Sequence, residues 1–393
     1  MATLIEEGKY ELFSCYILTH MQEQIDVRNL MIEFDVYESM YSDSVTGTLI
    51  LGDTLNLLAN APIIGGETVV FQFRTTGKFE TRTHRFIVYS CTNRNVDKNK
   101  TQLYKLKLCT SEKYDDLNQS ISRAINGHYS DSVVSILNEI SDKPVVSDKS
   151  TGIHQYIIPY TTPFDAIRRL TQKSIDSDNN PFVFYESTVT GYNIRSVSAL
   201  YEQEAVTTYI FSPSNTRPVE ERYRNIKEYD VQQSNNVNKY NERFVNGGVM
   251  QTFDLFSKTY VEDNIVRDNS VVLDNSPVPD VYNKRRTRTK FQIDDMSTGR
   301  FDDFHKNSEA VMHRNYAMTW LLAGDENLVL GSVVNFDIPS LEEQTDVLKI
   351  DPLYSGRFLV SAIKHTWTKV EYSMNVEVVK NSFNRETGIN NGR

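Results

Sequence analysis

His305 and His313 stand eight residues apart, close to two turns of a helix, so both could share a face with Asp302 or Glu309. Imidazoles and carboxylates at that spacing are a minimal metal-ligand set. Two histidines on the surface of an amphipathic helix leave the same pattern, and that is the reading adopted. Asp294-Asp295 and Asp302-Asp303 supply paired carboxylates of the type that glycoside hydrolysis uses. They lie in polar, poorly periodic sequence, where loop solvation accounts for them. Gly65-Gly66 and Gly247-Gly248 could offer backbone N–H groups to a phosphate, but neither opens a helical pattern, so both read as turns. Gly-x-x-x-x-Gly-Lys-Ser/Thr, Gly-x-Gly-x-x-Gly, Gly-x-Ser-x-Gly and His-Glu-x-x-His do not occur. The sequence therefore nominates no catalytic, cofactor-binding or metal-binding residues and no cofactor, and the chain reads as a non-enzyme.

The sharpest charge feature is Lys284-Arg285-Arg286-Thr287-Arg288-Thr289-Lys290. In an extended strand Lys284, Arg286, Arg288 and Lys290 share one face, while Arg285, Thr287, Thr289 and Phe291 share the other. A solvated or inter-subunit strand face is preferred over nucleic-acid binding. The whole chain has 42 Lys+Arg against 52 Asp+Glu, a net charge of −10, which would repel a duplex from most of the surface.

The elements that must position any site come from 393 residues of 45.3 kDa, enough for two or three domains. Mean hydropathy is −0.45, yet 22 Tyr and 19 Phe spread along the chain argue against disorder. No apolar run is long enough to span a bilayer, and Met1 to Glu7 does not resemble a secretory signal. Cys15, Cys91 and Cys109 are too few and too scattered for a disulfide framework or a zinc cage, which suits maturation in a reducing cytosol.

The opening segment is β-patterned. Leu30, Ile32, Phe34 and Val36 alternate with Glu33, Asp35 and Tyr37, and Val69, Phe71 and Phe73 mark one face of a strand over Thr68 to Arg74. Thr46–Leu51, Arg85–Thr92 and Leu103–Leu108 extend the set, with Asn95–Lys100 as a hairpin tip and a short helix expected after Asp53. From Ser111 the pattern changes. Leu117, Ile121, Ala124 and Ile125 recur at helical spacing, as do Val133, Val134, Leu137 and Ile140. Thr162-Pro163 caps a further helix through Leu170, and Gly191 turns a hairpin between Phe182–Glu186 and Tyr192–Ser196. Polar strands and loops fill 212–308. A helix over Asn307–Ala323 carries Val311, Met318, Leu321 and Leu322, and strands follow at Gly331–Asp337, Arg357–Lys364 and Tyr372–Lys380. The expected fold class is a β-rich α+β chain.

Two stretches resemble a known family. Gly47-Thr48-Leu49-Ile50-Leu51-Gly52-Asp53 with Pro62-Ile63-Ile64-Gly65-Gly66-Glu67 is similar to the first tube domain of the baseplate central hub proteins of contractile-tailed bacteriophages. Gly331-Ser332-Val333-Val334-Asn335-Phe336-Asp337-Ile338-Pro339, with Ser355-Gly356-Arg357-Phe358-Leu359-Val360-Ser361-Ala362-Ile363-Lys364-His365, resembles their second tube domain. Thr162-Pro163-Phe164-Asp165-Ala166-Ile167 and Phe182 to Glu186, with Gly191-Tyr192-Asn193, resemble the middle domain. The motifs span nearly the whole chain in the family's order; 212–308 matches least.

The resemblance implies two related antiparallel β-barrel-like tube domains plus a mixed α/β middle domain. The boundaries would be 1–110 for the first tube domain, 111–205 and about 239–306 for the middle, about 206–238 and 307–382 for the second tube domain, and a polar tail at 383–393. The second tube domain would borrow a strand near Tyr223–Asp230. It further implies a structural homotrimer whose six tube domains form a pseudo-sixfold ring. That ring would adapt the sixfold tail tube to a threefold central spike and let DNA pass after spike release. Expected partners are the spike, tail tube or tube-initiator proteins, baseplate wedge proteins, a tape measure protein and DNA in transit, with no membrane insertion. The expected place is the virion baseplate, assembled in the host cytoplasm, and the −10 balance suggests an acidic lumen. Alternatives are a hub or spike component of a tailocin or type VI-like injection system, a tail-tip cell-wall hydrolase, and a carbohydrate or receptor binder.

Overall fold

The computed structural model describes residues 7–53, 63–75, 80–96, 102–178, 180–211, 222, 224–234, 248–254, 258–265, 272–274, 276–277, 289–294, 313–314, 316–338, 351 and 354–383. Seven strands come first: β1 (Tyr10–Leu18), β2 (Gln24–Asp26), β3 (Met31–Ser39), β4 (Thr46–Asp53), β5 (Thr68–Thr75), β6 (Arg82–Val96) and β7 (Gln102–Cys109). All pair antiparallel, in the order β2-β1-β5-β6-β7-β4-β3. Val69, Phe71 and Phe73 of β5 are buried together, as their alternation requires.

The middle segment holds α1 (Ser111–Asp116), β8 (Ile121–Gly127), α2 (Tyr129–Ile140), β9 (Val145–Ser147), β10 (His154–Thr161), α3 (Pro163–Lys173), β11 (Phe182–Ser187), β12 (Gly191–Ser196) and α4 (Val197–Tyr201). Helices α2 and α3 pack together against a β8–β10 ribbon and a β11-β12-β9 sheet, around Val133, Leu137, Phe164, Ile167, Tyr192 and Ile194. Helix α3 starts where expected: Pro163 follows Thr162, whose hydroxyl accepts from Asp165 N–H.

The remaining strands are β13 (Thr208–Phe211), β14 (Asn225–Ile226), β15 (Glu228–Ser234), β16 (Gly248–Asp254), β17 (Tyr260–Ile265), β18 (Ser276–Pro277), β19 (Thr289–Asp294), β20 (Tyr316–Ala323), β21 (Val333–Asp337), β22 (Gly356–Thr368), β23 (Tyr372–Lys380) and β24 (Ser382–Phe383). β17-β16-β19 form a small separate sheet. The expected strand near Tyr223–Asp230 is found as β14 and β15, with β15 antiparallel to β20. β13 departs from the antiparallel rule, pairing parallel with both β14 and β21.

The β22–β23 hairpin joins the two ends of the chain. The first part of β22 pairs with β21 through Phe358↔Val334, and its last part pairs with β3 through Trp367↔Phe34. Trp367 and Tyr372, stacked at 4.7 Å, fill the core of the N-terminal sheet with Phe34, Phe71 and Phe73. That sheet curls back until Tyr372 N–H donates to Gly8 O at 2.8 Å. Beyond a bulge between Val360 and Ala362, the same hairpin belongs to a second curled sheet, filled by Trp320, Phe336, Phe358 and Tyr209. Lys227 N–H, between β14 and β15, closes that half on Leu321 O at 2.8 Å. The β-rich α+β expectation holds, with two barrel-like halves sharing one hairpin.

Three local expectations fail for identifiable reasons. Tyr316–Ala323 is a strand, not the end of a helix: Tyr316, Met318, Trp320 and Leu322 are buried in alternation, and pairing with β15 and β23 overrides the helical spacing of Met318 and Leu322. Residues 307–312 of that expected helix lie outside the described residues. Leu117–Ile125 is not a helix either. Helix α1 stops at Asp116, and Ile121 and Ile125 belong to a ribbon strand paired with β10. In β3 a bulge between Met31 and Glu33 resets the alternation, so Met31 is buried and Ile32 is 42% exposed. The expected helix after Asp53 and the tip at 97–100 lie outside the described residues.

Candidate functional site

His313 is not a surface residue. It is buried, stacked on Tyr201, and its Nδ1 lies 2.5 Å from the Tyr201 hydroxyl. Burial lowers its pKa to about 4, so the neutral ring is the stable form. His305, Asp295, Asp302, Asp303, Glu309 and Gly247 lie outside the described residues, as do 284–288 of the basic run; Thr289, Lys290, Phe291 and Asp294 fall in β19. No group of three His, Cys, Asp or Glu among the described residues is placed to hold a metal.

Gly65 and Gly66 do form a turn, with φ of +114° and +92°. The Glu67 carboxylate already accepts Ile64 N–H at 2.8 Å and Gly65 N–H at 3.0 Å, and Gly66 N–H donates to Val88 O. The donors that would cradle a phosphate are occupied by the chain's own acid.

Of the charged residues that matter structurally, the alternation in β3 marks Asp35 alone. Glu38 and Asp35 of β3 are both buried. Glu38 accepts from Thr188 N–H at 3.2 Å, takes the Thr188 hydroxyl, and lies 3.2 Å from His365 Nε2. His365 Nδ1 in turn meets the Tyr372 hydroxyl at 2.8 Å. Burial opposes ionisation of Glu38, but the His365 and Thr188 partners outweigh it and hold the carboxyl below its ordinary range. Asp35 pairs with Lys364 at 3.1 Å and accepts the Thr366 hydroxyl. These contacts tie β3, the β11–β12 turn and β22 into one polar junction at the shared hairpin.

A second junction seats the middle unit. Lys143 lies 2.8 Å from Glu112 and 2.7 Å from Glu186, and Glu186 also accepts Val45 N–H at 2.8 Å. Burial pushes the Glu186 carboxyl up, with Lys143 opposing it. Arg168 of α3 pairs with Asp43 at 2.7 Å. Lys380, wholly buried, donates to Asp274 at 3.2 Å and to Ser355 O at 3.0 Å. Each of these carboxylates is engaged by a cation or a backbone donor. They fasten segments far apart in sequence. Sequence periodicity carries no signal for them, because a paired acid and an exposed acid look alike until the partner strand is known.

The fold also occurs in proteins of known structure. It is similar to the tail protein from Neisseria meningitidis MC58, with a TM-score of 0.57 at 9% identity over 94% of this chain and 96% of that one. It is similar as well to the 43 kDa tail protein of prophage MuSo2 from Shewanella oneidensis, with a TM-score of 0.55 at 12% identity over 94% and 97% of the two chains. No protein-family model matches the sequence, and no curated protein matches it. The likeness is one of fold, spanning nearly the full length of both structural neighbours. No helix among the described residues is long and apolar enough to cross a membrane.

Proposed function

We propose that this chain is the structural baseplate hub of a contractile phage tail. Three copies form a ring in which each contributes two barrel-like halves, giving six near-equivalent positions. The ring adapts a sixfold tube to a threefold spike and leaves a lumen for DNA. The observation that carries the reading is the β22–β23 hairpin, whose strands pair into both halves and so join them within one chain. A ring of six near-equivalent positions from three copies needs two such halves joined in each chain. The fold-level likeness to two tail proteins along their whole length supports the same reading.

The ring would sit in the virion baseplate, between spike and tube, with wedge and tape measure proteins as further neighbours. Function would reside in symmetry and interfaces, without catalysis. With a net charge of −10 available, an acidic lumen would let DNA slide without binding. The test is particle mass and end-on symmetry of the purified full chain, together with peptidoglycan turnover. A threefold ring with six lobes and no turnover is expected. A monodisperse monomer, or release of peptidoglycan fragments, would overturn the reading.

A further inference from the structure

Lys380 and Asp274 differ from the other lysine–carboxylate pairs among the described residues. The side chains of Lys113, Lys143, Lys227 and Lys364 are 33–35% exposed, whereas that of Lys380 is 0% exposed and that of Asp274 3%. Lys380 Nζ lies 3.2 Å from Asp274 Oδ2, with the rings of Phe358 and Tyr316 centred 4.6 and 5.6 Å from the nitrogen. The carboxyl is held in place from several sides. Asp274 N–H donates to the Ser382 hydroxyl, Leu273 N–H donates to Asn381 Oδ1, and Arg357 N–H donates to Asp274 Oδ1 at 2.9 Å. Gly356, at φ +124°, makes room for it, since a Cβ there would fall 2.5 Å from Oδ2. Lys380 is fixed by its place in β23 and by donation to Ser355 O at 3.0 Å.

A buried ion pair carries the desolvation cost of both charges. Burial pulls the Lys380 ammonium below its ordinary range, and Asp274 opposes that shift. Passing one proton from Nζ to Oδ2 removes both charges and leaves a desolvated neutral amine, a nucleophile, beside a carboxylic acid. We propose that these two groups condense, so that an isopeptide bond made by the chain itself joins Lys380 Nζ to Asp274 Cγ. The nitrogen lone pair attacks Cγ, the C–N bond forms, and the bond from Cγ to its hydroxyl breaks. One amine proton leaves with that hydroxyl as water, and nothing is oxidised or reduced. Asp351 is a further carboxylate whose charge reaches Lys380, and it would carry that proton from nitrogen to oxygen. Condensation is disfavoured in open water, but groups held in register react at effective concentrations of roughly 10⁵–10⁸ M. A site that shuts out solvent also protects the product from hydrolysis. The bond would fasten residues 272–274 to β23 permanently, across a separation of 106 residues. It stands apart from the ring reading and holds or fails independently of it.

The test is the intact mass of the purified full-length chain under denaturing conditions, followed by digestion and fragmentation of the peptides. The chain should be lighter than its sequence by one water, while Asp274→Ala should show its full sequence mass. Trypsin should fail to cut after Lys380, and the digest should contain a branched peptide joining Lys380 to Asp274. A wild-type chain at full sequence mass, cut normally after Lys380, overturns the bond. So does a lost water that mild alkali restores with no branched peptide present, since that marks a cyclic imide at an aspartate. The wild-type mass decides the matter even if Asp274→Ala does not fold. In freshly synthesised chain sampled over time, Asp351→Asn should slow the appearance of the linked form at least tenfold. Linkage of that variant at the wild-type rate overturns the role of Asp351 and leaves the bond standing.

Discussion

The chain has two tryptophans, and the fold places one in each barrel-like half, so each half carries its own optical probe. Consider Trp320→Ala. Trp320 is fully buried, with Phe336 at 4.6 Å, Phe358 at 5.8 Å and Tyr209 at 6.0 Å. Truncating an aromatic in such a site costs about 3–5 kcal/mol. The surviving Trp367 does not touch the lesion. Trp320 is opposite Val376, Val376 is opposite Ile363, and Trp367 lies four residues further along β22, about 13 Å away along the strand. If the shared hairpin makes the halves one cooperative unit, Trp367 must nevertheless report the whole loss. The assay is urea unfolding followed by Trp367 emission, with Trp320→Phe as a single-tryptophan reference that keeps a ring in the cavity. A difference of about 3 kcal/mol and a slope of about 3 kcal/mol per M put the two midpoints about 1 M apart. Far-UV circular dichroism should trace the same curve. Trp367 emission that stays at the reference midpoint while the dichroism falls earlier would refute the reasoning, since the halves would then unfold independently.

Two further outcomes follow from the same core. Gly324→Ala places a Cβ inside the Tyr372 ring, which cannot retreat because it is stacked on Trp367; a loss of at least ~1–3 kcal/mol in urea melts is expected. His313 has its pKa lowered from 6.5 to about 4, so the unfolded chain binds the extra proton first; its contribution is complete above pH 6.5 and drains away as pH falls toward 4, by on the order of 3 kcal/mol. His313→Gln keeps a hydrogen-bonding group for Tyr201 without titrating, and should flatten that part of a stability-versus-pH curve measured by urea titration.

The residues most legible in the sequence were those whose partners are near in the chain. Helices over Tyr129–Ile140 and Pro163–Lys173 announce themselves through apolar spacing and the Thr162 cap, and Gly191 marks its hairpin, because such signals depend on the next few residues alone. In Tyr316–Ala323, Met318, Leu321 and Leu322 fit a helix as well as a strand over so short a run; only β15 and β23 on either side decide it. Leu117–Ile125 failed for the same reason, with β10 deciding. Ile32 leaves the apolar face because of a one-residue bulge, a feature of pairing geometry that alternation assumes away.

The candidate site was legible in a different way. The amino-acid order by itself determined what the chain lacks in motif chemistry, its acidic balance, its β-rich character and the turn at Gly65-Gly66, all of which are properties of composition or of short windows. Only the tertiary structure decided that Glu38 faces His365, that Lys143 sits between Glu112 and Glu186, and that His313 is buried against Tyr201. It also decided that one hairpin near the C-terminus completes a sheet begun at residue 10, by pairing β22 with β3. Contacts between residues more than 300 positions apart are chosen by the summed burial and hydrogen bonding of whole strands, and no local pattern encodes that sum.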